Sequence, residues 1–194
     1  MTAEAPLRGR VDAIVIGASA GGVEALTVLL PSLPVGIVEP IFIVMHLPRD
    51  TPSMLAEIFR SRCAMRVEEA EDKMPVQAGT VYFAPADYHL LIDKGPQLSL
   101  SADEPVHFSR PAVDVLFQSA VDVYRERLLG IILTGANEDG TDGLDAVRLA
   151  GGVTVVQDPA TALSPVMPEA ALRRMSVDYV LPLAGIASLV ATLK

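Results

Sequence analysis

Short runs of apolar, mostly β-branched residues alternate along the chain with stretches whose apolar residues recur at helical spacing. Runs that are apolar throughout are typical of strands buried on both faces, as in a parallel sheet covered by helices. The predicted strands span 12–18, 40–46, 66–70, 79–85, 128–135, 152–158 and 177–182. The predicted helices span 21–33, 50–62, 111–126, 142–151, 168–175 and 185–193.

This alternation predicts an α/β fold: a doubly wound, mostly parallel sheet with helices on both faces. Two further β runs in 88–101 flank the turn residues of 93–96 and predict an antiparallel hairpin insertion. The helix over 50–62 is predicted to be capped by Asp50 or Thr51, with Pro52 in its first turn. No repeat or linker interrupts the pattern, so we expect one domain over 1–194 with a core of about 11–193.

Composition narrows the possible partners. The net charge of −9 argues against binding to the nucleic-acid backbone, which requires clustered Lys and Arg. Cys63 is the only cysteine, so no internal disulfide can form, and we expect a partly buried apolar side chain there. Three scattered histidines beside one cysteine do not match metal-ligand spacing, so neither a structural nor a catalytic metal is expected.

The chain start and the apolar stretches predict a cytoplasmic protein. The first ten residues contain no apolar segment of the kind found in signal peptides. The longest apolar stretches are far shorter than the roughly 20 residues that a membrane-spanning helix requires. We therefore expect no membrane insertion.

Side chains of three chemically useful types, serine, histidine and aspartate, lie at the ends of predicted strands or just after them. Ser19 follows the first strand, His46 ends the second, and Asp139 and Asp142 lie in the loop after the strand at 128–135. Because the carboxyl ends of parallel strands share one edge of a sheet, these side chains are expected near one another. Such an arrangement suits nucleophilic catalysis, in which a histidine takes the serine proton and a carboxylate orients the histidine.

The first loop matches other glycine-rich motifs less well. A dinucleotide site requires a glycine where Ser19 stands and an acidic residue where His46 stands. A phosphate-binding P-loop requires a Lys-Ser/Thr pair after the glycines. Residues 17–21 match the Gly-x-Ser-x-Gly elbow of α/β-hydrolases, but the order Ser, His, Asp along this chain differs from theirs.

Each candidate also has a structural interpretation. Ser19 could cap the following helix, and His46 could be a core histidine. Asp139 could be a turn residue before Gly140, and Asp142 stands in the same kind of dipeptide. The residues alone leave open which aspartate serves, and whether the site is catalytic.

Six segments occur in a recognisable order between about residues 11 and 193: VIGASAGGVEAL, VMHLP, FAPADYHLLI, SRPAVDVLFQSA, ILTGANEDGTDGL and VVQDPATALSPVMPEAAL. In this order they resemble the catalytic domain of CheB-type chemotaxis methylesterases. The resemblance implies Ser19 as nucleophile, His46 as base and Asp139, rather than Asp142, as the orienting acid. It implies hydrolysis of glutamate γ-methyl esters on the cytoplasmic helices of chemoreceptors, deamidation of receptor glutamines as a second activity, and no cofactor.

The sequence departs from the family pattern at several points. Ala20 stands where the family usually has threonine, and Ala136-Asn137 replace Met-Gly before the acidic stretch. Asparagine tolerates a left-handed backbone better than most residues, so the turn is expected to survive. The changes at Ala20 and Ala136 keep open a related serine esterase or amidase with another substrate. A non-catalytic signalling module is a further alternative, which the presence of Ser19, His46 and Asp139 together disfavours.

Family members commonly carry an N-terminal receiver domain. The first strand here begins by about residue 12, which leaves no room for one in this sequence. We expect either a stand-alone catalytic domain, which the first ten residues favour, or the catalytic part of a longer protein.

Overall fold

A parallel sheet forms the centre of the molecule. The structure, a computed structural model, describes residues 7–46 and 53–194. The strands of the central sheet are β1 (Ala13–Ala18), β2 (Ile41–Met45), β3 (Arg66–Glu69), β4 (Thr80–Phe83), β7 (Leu128–Ile132), β8 (Val153–Gln157) and β9 (Tyr179–Leu181). They lie in the order β3-β4-β2-β1-β7-β8-β9, and every neighbouring pair is parallel.

A separate antiparallel hairpin is formed by β5 (His89–Asp93) and β6 (Gln97–Ser101). Its apolar residues Leu90, Ile92 and Leu98 belong to the core on one face of the sheet. The hydroxyl of Ser119 accepts a hydrogen bond from the backbone N–H of Ile92 at 3.1 Å and so joins the hairpin to the helix behind it. The predicted hairpin insertion is thus confirmed.

Six α-helices connect the strands within the described residues. They are α1 (Gly22–Leu29), α2 (Leu55–Arg60), α3 (Val113–Tyr124), α4 (Thr141–Leu149), α5 (Val166–Arg174) and α6 (Leu183–Ala191). Short 3₁₀ turns extend α1 and α3 at their C-terminal ends. The predicted cap of the 50–62 helix, at Asp50 to Pro52, lies outside the described residues.

Alternate residues of each central strand pack on opposite faces of the sheet, as strand geometry requires. In β1, Ile14 and Ile16 join the core that α1, α2 and α6 cover, whereas Ala13 and Val15 join the core under α3, α4 and α5. The predicted doubly wound α/β fold with helices on both faces is therefore confirmed.

The strand order also shows where a site should form. The chain moves outward from β1 through β2 to β3 and β4, and then returns to place β7 on the other side of β1. In open α/β sheets, the crevice at the carboxyl ends of the strands beside such a reversal is the usual binding position. Here that crevice lies where β1, β2 and β7 end.

Candidate active site

Ser19 lies on the turn between β1 and α1. Its backbone N–H donates to the carbonyl of Thr134 at 3.0 Å, so the pairing of β1 with β7 continues past the strand end. The capping position of α1 is held by Gly21, and among the described residues no side chain caps this helix. Ser19 therefore does not serve as the helix cap, which removes the main structural interpretation of this residue.

Gly21 shapes the turn that carries Ser19. Its φ is 80°, in the left-handed region, and a Cβ added there would lie 2.7 Å from the Cβ of Leu163. Only glycine accepts both conditions without strain. The close packing of Leu163 over this turn fixes the course of the chain just after Ser19.

A network of polar residues supports the same turn from below. The Thr134 hydroxyl donates to the carbonyl of Ala20 at 2.8 Å and accepts from the backbone N–H of Ser164 at 2.8 Å. Gln157, which is buried, accepts from the backbone N–H of Thr134 at 2.9 Å. The ends of β1, β7 and β8 are thereby tied together. Sequence reasoning did not find Thr134, because its partners lie more than 20 residues away along the chain.

His46 follows β2 directly and lies beside the end of β1. Its backbone N–H donates to the carbonyl of Ala18 at 3.1 Å. Its Nε2 lies 2.7 Å from Oδ2 of Asp139, and its side chain is 12% exposed. A histidine in this position is paired with a carboxylate and still reaches the surface crevice. No hydrogen bond joins Ser19 Oγ to His46, both of which the structure describes.

Asp139 is fully buried and accepts hydrogen bonds from two backbone groups besides His46. The backbone N–H groups of Val113 and Asp114, at the start of α3, donate to its two carboxylate oxygens at 2.7 and 3.0 Å. Burial alone would raise the pKa of Asp139, but the hydrogen bonds from His46 and from these backbone groups outweigh it. They hold its pKa below the ordinary value, so the carboxylate is ionised at neutral pH.

Arg110 fixes the start of α3 in this position. Its guanidinium contacts Asp87 at 2.7 Å and donates to the carbonyls of Ala102 and Asp103 at 2.7 and 3.0 Å. These contacts tie the segment before α3 to the loop after β4. The N–H groups that bind Asp139 are thus held by a set of contacts outside the central crevice.

The other aspartate candidate lies elsewhere. The Asp142 side chain is 59% exposed and lies 3.5 Å from Arg174. The structure therefore brings together His46 and Asp139, next to the turn that carries Ser19, and leaves Asp142 on the surface.

The remaining histidines have separate surroundings. His89 is buried, and its Nδ1 accepts a hydrogen bond from the backbone N–H of Ala112. Its Nε2 lies 3.1 Å from the carbonyl oxygen of Glu104, so both ring nitrogens serve a structural role. His107 is half exposed and lies 3.5 Å from Asp114. Cys63 is partly buried with its sulfur 3.7 Å from the carbonyl of Leu30, and burial raises the pKa of its thiol.

One cluster was not expected from the sequence. Ligand atoms of His107, Asp114 and Asp142 all lie within 4.8 Å of one another, beside an open cavity of about 290 Å³. Asp114 already accepts a hydrogen bond from the backbone of Gly143 at 2.6 Å, and Asp142 pairs with Arg174. These carboxylates are therefore partnered by protein groups.

Asn137 lies between His46 and Asp139. Its Nδ2 lies 3.2 Å from Nδ1 of His46, and its Oδ1 accepts from the backbone N–H of Asp139 at 3.3 Å. The expected left-handed backbone at this residue is not observed. The positive φ of this loop, 94°, belongs to Gly140 instead.

Comparison with known proteins places this site in a family. A family model described as CheB methylesterase matches residues 14–190, which include every residue of the site. The chain belongs to the CheB methylesterase family. The crystal structure of the Thermotoga maritima CheB methylesterase catalytic domain is similar, with a TM-score of 0.90 and 34% sequence identity, covering 95% of this chain and 99% of that chain.

Two curated relatives show how much of a family protein the chain spans. A protein of Leptospira interrogans, provisionally named a protein-glutamate methylesterase/protein-glutamine glutaminase, is 48% identical over 178 residues, 92% of each chain. A protein of the same name from Symbiobacterium thermophilum is 39% identical over 90% of this chain, but the match covers 48% of its own length. Relatives of this CheB-family chain therefore include proteins of about its length and proteins about twice as long.

Proposed function

We propose that the chain is a serine hydrolase that removes methyl esters from glutamate side chains on the cytoplasmic helices of chemoreceptors. The observation that carries this proposal is the pairing of His46 with the buried Asp139, beside the exposed turn of Ser19, in a chain of the CheB methylesterase family. Relatives named protein-glutamate methylesterase/protein-glutamine glutaminase support the same substrate class, and with it a cytoplasmic location. Among the described residues no helix is long and apolar enough to cross a membrane.

The orientation of the His46 ring supports a direction for the proton transfer. Because Nε2 of His46 faces Asp139, Nδ1 is the ring nitrogen that can take the proton of Ser19. Ser19 Oγ then attacks the ester carbonyl, and the ionised Asp139 stabilises the imidazolium that forms. Without Asp139, a positive ring next to the buried start of α3 would be unfavourable.

The first turn of α1 supplies groups for the tetrahedral intermediates of the reaction. The N–H groups at a helix start have no partner within the helix, and α1 begins three residues after Ser19. Donors in this position favour the negative oxygen of a tetrahedral intermediate. His46 then protonates the departing methanol, and a water molecule hydrolyses the glutamyl ester on Ser19. The same steps with ammonia as the leaving group would deamidate a receptor glutamine.

The test is the release of methanol from methylated cytoplasmic fragments of a chemoreceptor by the purified protein and by Ser19→Ala. We expect the substitution to abolish release and to leave thermal unfolding unchanged. Ser188→Ala, on the exposed face of α6, is the control and should retain full activity. Activity of Ser19→Ala within about tenfold of the parent would contradict the assignment of the nucleophile.

Ammonia release from glutamine-bearing fragments tests the second activity in the same experiment. Fluorophosphonate labelling of Ser19 without methanol release would instead indicate a serine hydrolase with another substrate. Absence of both would indicate a binding module.

A further inference from the structure

The side chain of Asn137 bridges two groups of the site with opposite hydrogen-bonding character. Its amide oxygen accepts from the backbone N–H of Asp139 at 3.3 Å, and its amide nitrogen lies 3.2 Å from Nδ1 of His46. A backbone N–H can only donate, so the amide oxygen must face Asp139 and the NH₂ group must face the ring. This assignment follows from the neighbouring groups.

The bridge determines where the proton of the neutral ring lies. Because the NH₂ group of Asn137 can only donate, Nδ1 of His46 must be the unprotonated acceptor. The ring proton is then on Nε2, which faces the Asp139 carboxylate at 2.7 Å. Both nitrogens of the resting ring are therefore engaged, and the engaged lone pair is the one that must receive the proton of Ser19.

The bridge is compatible with the neutral ring only. Once Nδ1 carries a proton, an N–H of the ring faces the N–H of Asn137. Turning the amide over would place its NH₂ group against the backbone N–H of Asp139, so neither orientation satisfies both neighbours. Protonation of His46 therefore requires the Asn137 side chain to move away.

The ring does not depend on Asn137 for its orientation. The contact with Asp139 is shorter, at 2.7 Å against 3.2 Å, and involves a carboxylate, so it is the stronger of the two. Asn137 is also only partly buried and stands next to the exposed Ala136 and Glu138, so its side chain can leave toward solvent.

We propose that Asn137 is a positioning residue that holds the Nδ1 lone pair of His46 in the resting enzyme and must be displaced before Ser19 can give up its proton. The proposal rests on the proposed function in that it takes Ser19 as the nucleophile and His46 as its base. It predicts that Asn137 lowers the reactivity of Ser19 in the free enzyme.

Two substitutions separate the parts of the bridge. Asn137→Ala removes both hydrogen bonds. Asn137→Asp keeps the acceptor for the backbone N–H of Asp139 and replaces the donor to His46 by a carboxylate oxygen. Glu138→Gln is the matched control, because it changes a neighbouring exposed side chain whose contact is with Arg173 at 3.6 Å.

The first measurement is the ¹⁵N NMR spectrum of the histidine ring nitrogens, with the His46 signals identified by their loss in His46→Gln. In the parent protein we expect a protonated Nε2 and a hydrogen-bonded, unprotonated Nδ1. Asn137→Ala should move the Nδ1 signal toward that of an unbonded ring nitrogen and leave Nε2 protonated. Asn137→Asp should protonate both nitrogens at a pH where free imidazole is neutral.

The second measurement is the rate at which a fluorophosphonate labels Ser19, which requires no receptor substrate. We expect Asn137→Ala to label about three- to tenfold faster than the parent, the effect of one ordinary hydrogen bond. Asn137→Asp should label at no more than about one tenth of the parent's rate, because its carboxylate holds the ring in the protonated form. Glu138→Gln should match the parent.

Equal or slower labelling of Asn137→Ala, or an unchanged Nδ1 signal, would overturn the inference. If the Ala variant unfolds, the Asp variant, which retains the loop hydrogen bond, carries the test. Failure of the parent to label at Ser19 would overturn the proposed function instead, so the two failures are distinguishable.

Discussion

At the scale of single residues, Asp139 is the carboxylate on which the geometry depends. It accepts hydrogen bonds from His46, Val113 and Asp114, and it has no exposed surface. An amide in its place would turn an NH₂ group toward at least one of these donors. If the NH₂ group faces Nε2 of His46, the histidine loses its acceptor and its proton arrangement. In either orientation the neutral amide stabilises the imidazolium less than the carboxylate does.

We therefore expect Asp139→Asn to lower kcat of methyl ester hydrolysis by roughly 10³- to 10⁴-fold, a loss of the size known for tautomer errors in serine proteases. Asp142→Asn, which alters an exposed carboxylate 3.5 Å from Arg174, should stay within about twofold of the parent, as most surface substitutions do. Steady-state kinetics on the same methylated fragment checks both variants. Similar losses in the two would show that the orienting carboxylate is wrongly assigned.

Asp114 makes the stability of the folded protein depend on pH. Burial raises its pKa to about 6; the charges of Asp139 and Asp142 add to the increase, while the bond from Gly143 and the proximity of His107 oppose it. The folded state thus binds this proton more tightly than the unfolded chain does. Its contribution to stability is fully present below about pH 4 and is lost as the pH rises through about 6.

Asp114→Asn keeps an acceptor for Gly143 without the charge. It should therefore raise the free energy of unfolding at neutral pH, by at most about 3 kcal/mol, and the gain should vanish near pH 4. Urea unfolding of the variant and the parent at several pH values measures this difference. The lowered pKa of Asp139 acts in the opposite direction, because its contribution is lost only as the pH falls below the ordinary value of an aspartate, outside the range in which Asp114 titrates. A gain that does not vary with pH would contradict this account of Asp114.

At the scale of elements, the site depends on how strand ends and helix starts are joined. Thr134 illustrates this, because its single hydroxyl bonds Ala20 in the turn after β1 and Ser164 before α5. Thr154 is an equally buried threonine whose hydroxyl bonds Asp178 at 2.8 and 3.0 Å. It lies in β8, paired with the middle of β7 rather than with its end.

Replacement of either threonine by valine should lower the free energy of unfolding by about 1–3 kcal/mol, the cost of leaving buried partners unsatisfied. Only Thr134→Val should also slow hydrolysis, by about tenfold or more, because it loosens the turn that carries Ser19. Thermal unfolding and steady-state kinetics of the two variants separate these effects. Equal activity in the two would mean that the turn does not depend on Thr134.

The same elements show what the sequence could predict. The strand ends could be located because buried parallel strands are apolar throughout, and this brought Ser19, His46 and Asp139 to one edge of the sheet. The binding of Asp139 by the start of α3 could not be predicted. It joins residues about 25 positions apart through backbone N–H groups, which carry no side-chain signature.

Side-chain contacts within the loops could not be predicted from the sequence pattern either. Asn137 was expected to matter for the turn conformation, whereas the structure places its amide on His46. The left-handed backbone of this loop belongs to Gly140 instead, which adopts it without strain. A hydrogen bond of this kind depends on where two loops from different strands meet, and no local pattern records that position.

At the scale of the whole molecule, the two faces of the sheet differ in what they contribute to the site. The face under α1, α2 and α6 carries a continuous apolar core from Leu7 to Leu193. The face under α3, α4 and α5 carries a second core, and its helices also bring the backbone groups that bind Asp139. The site therefore lies at the edge of the sheet, and its His46–Asp139 pair is held by the start of α3, a helix whose apolar side is packed in the core.

The family match over residues 14–190 bears on how this polypeptide is controlled, because it assigns nearly all of the 194 residues to the catalytic unit. A phosphorylation switch of the kind that covers an active site requires a second segment with a different affinity for the site in its two states. The described residues outside the match form the chain ends, and Leu7 and Leu193 are packed in the core.

We therefore expect the 194-residue polypeptide to hydrolyse methylated receptor fragments without a phosphodonor, at a rate that acetyl phosphate with Mg²⁺ leaves unchanged. The comparison requires purified protein, one methylated fragment, and methanol release measured with and without the phosphodonor. A family protein of twice this length, such as the Symbiobacterium relative, is a useful second sample, because any effect of the phosphodonor there would show that the reagent works. A several-fold stimulation of the 194-residue polypeptide itself would mean that the catalytic unit responds to a phosphoryl group directly.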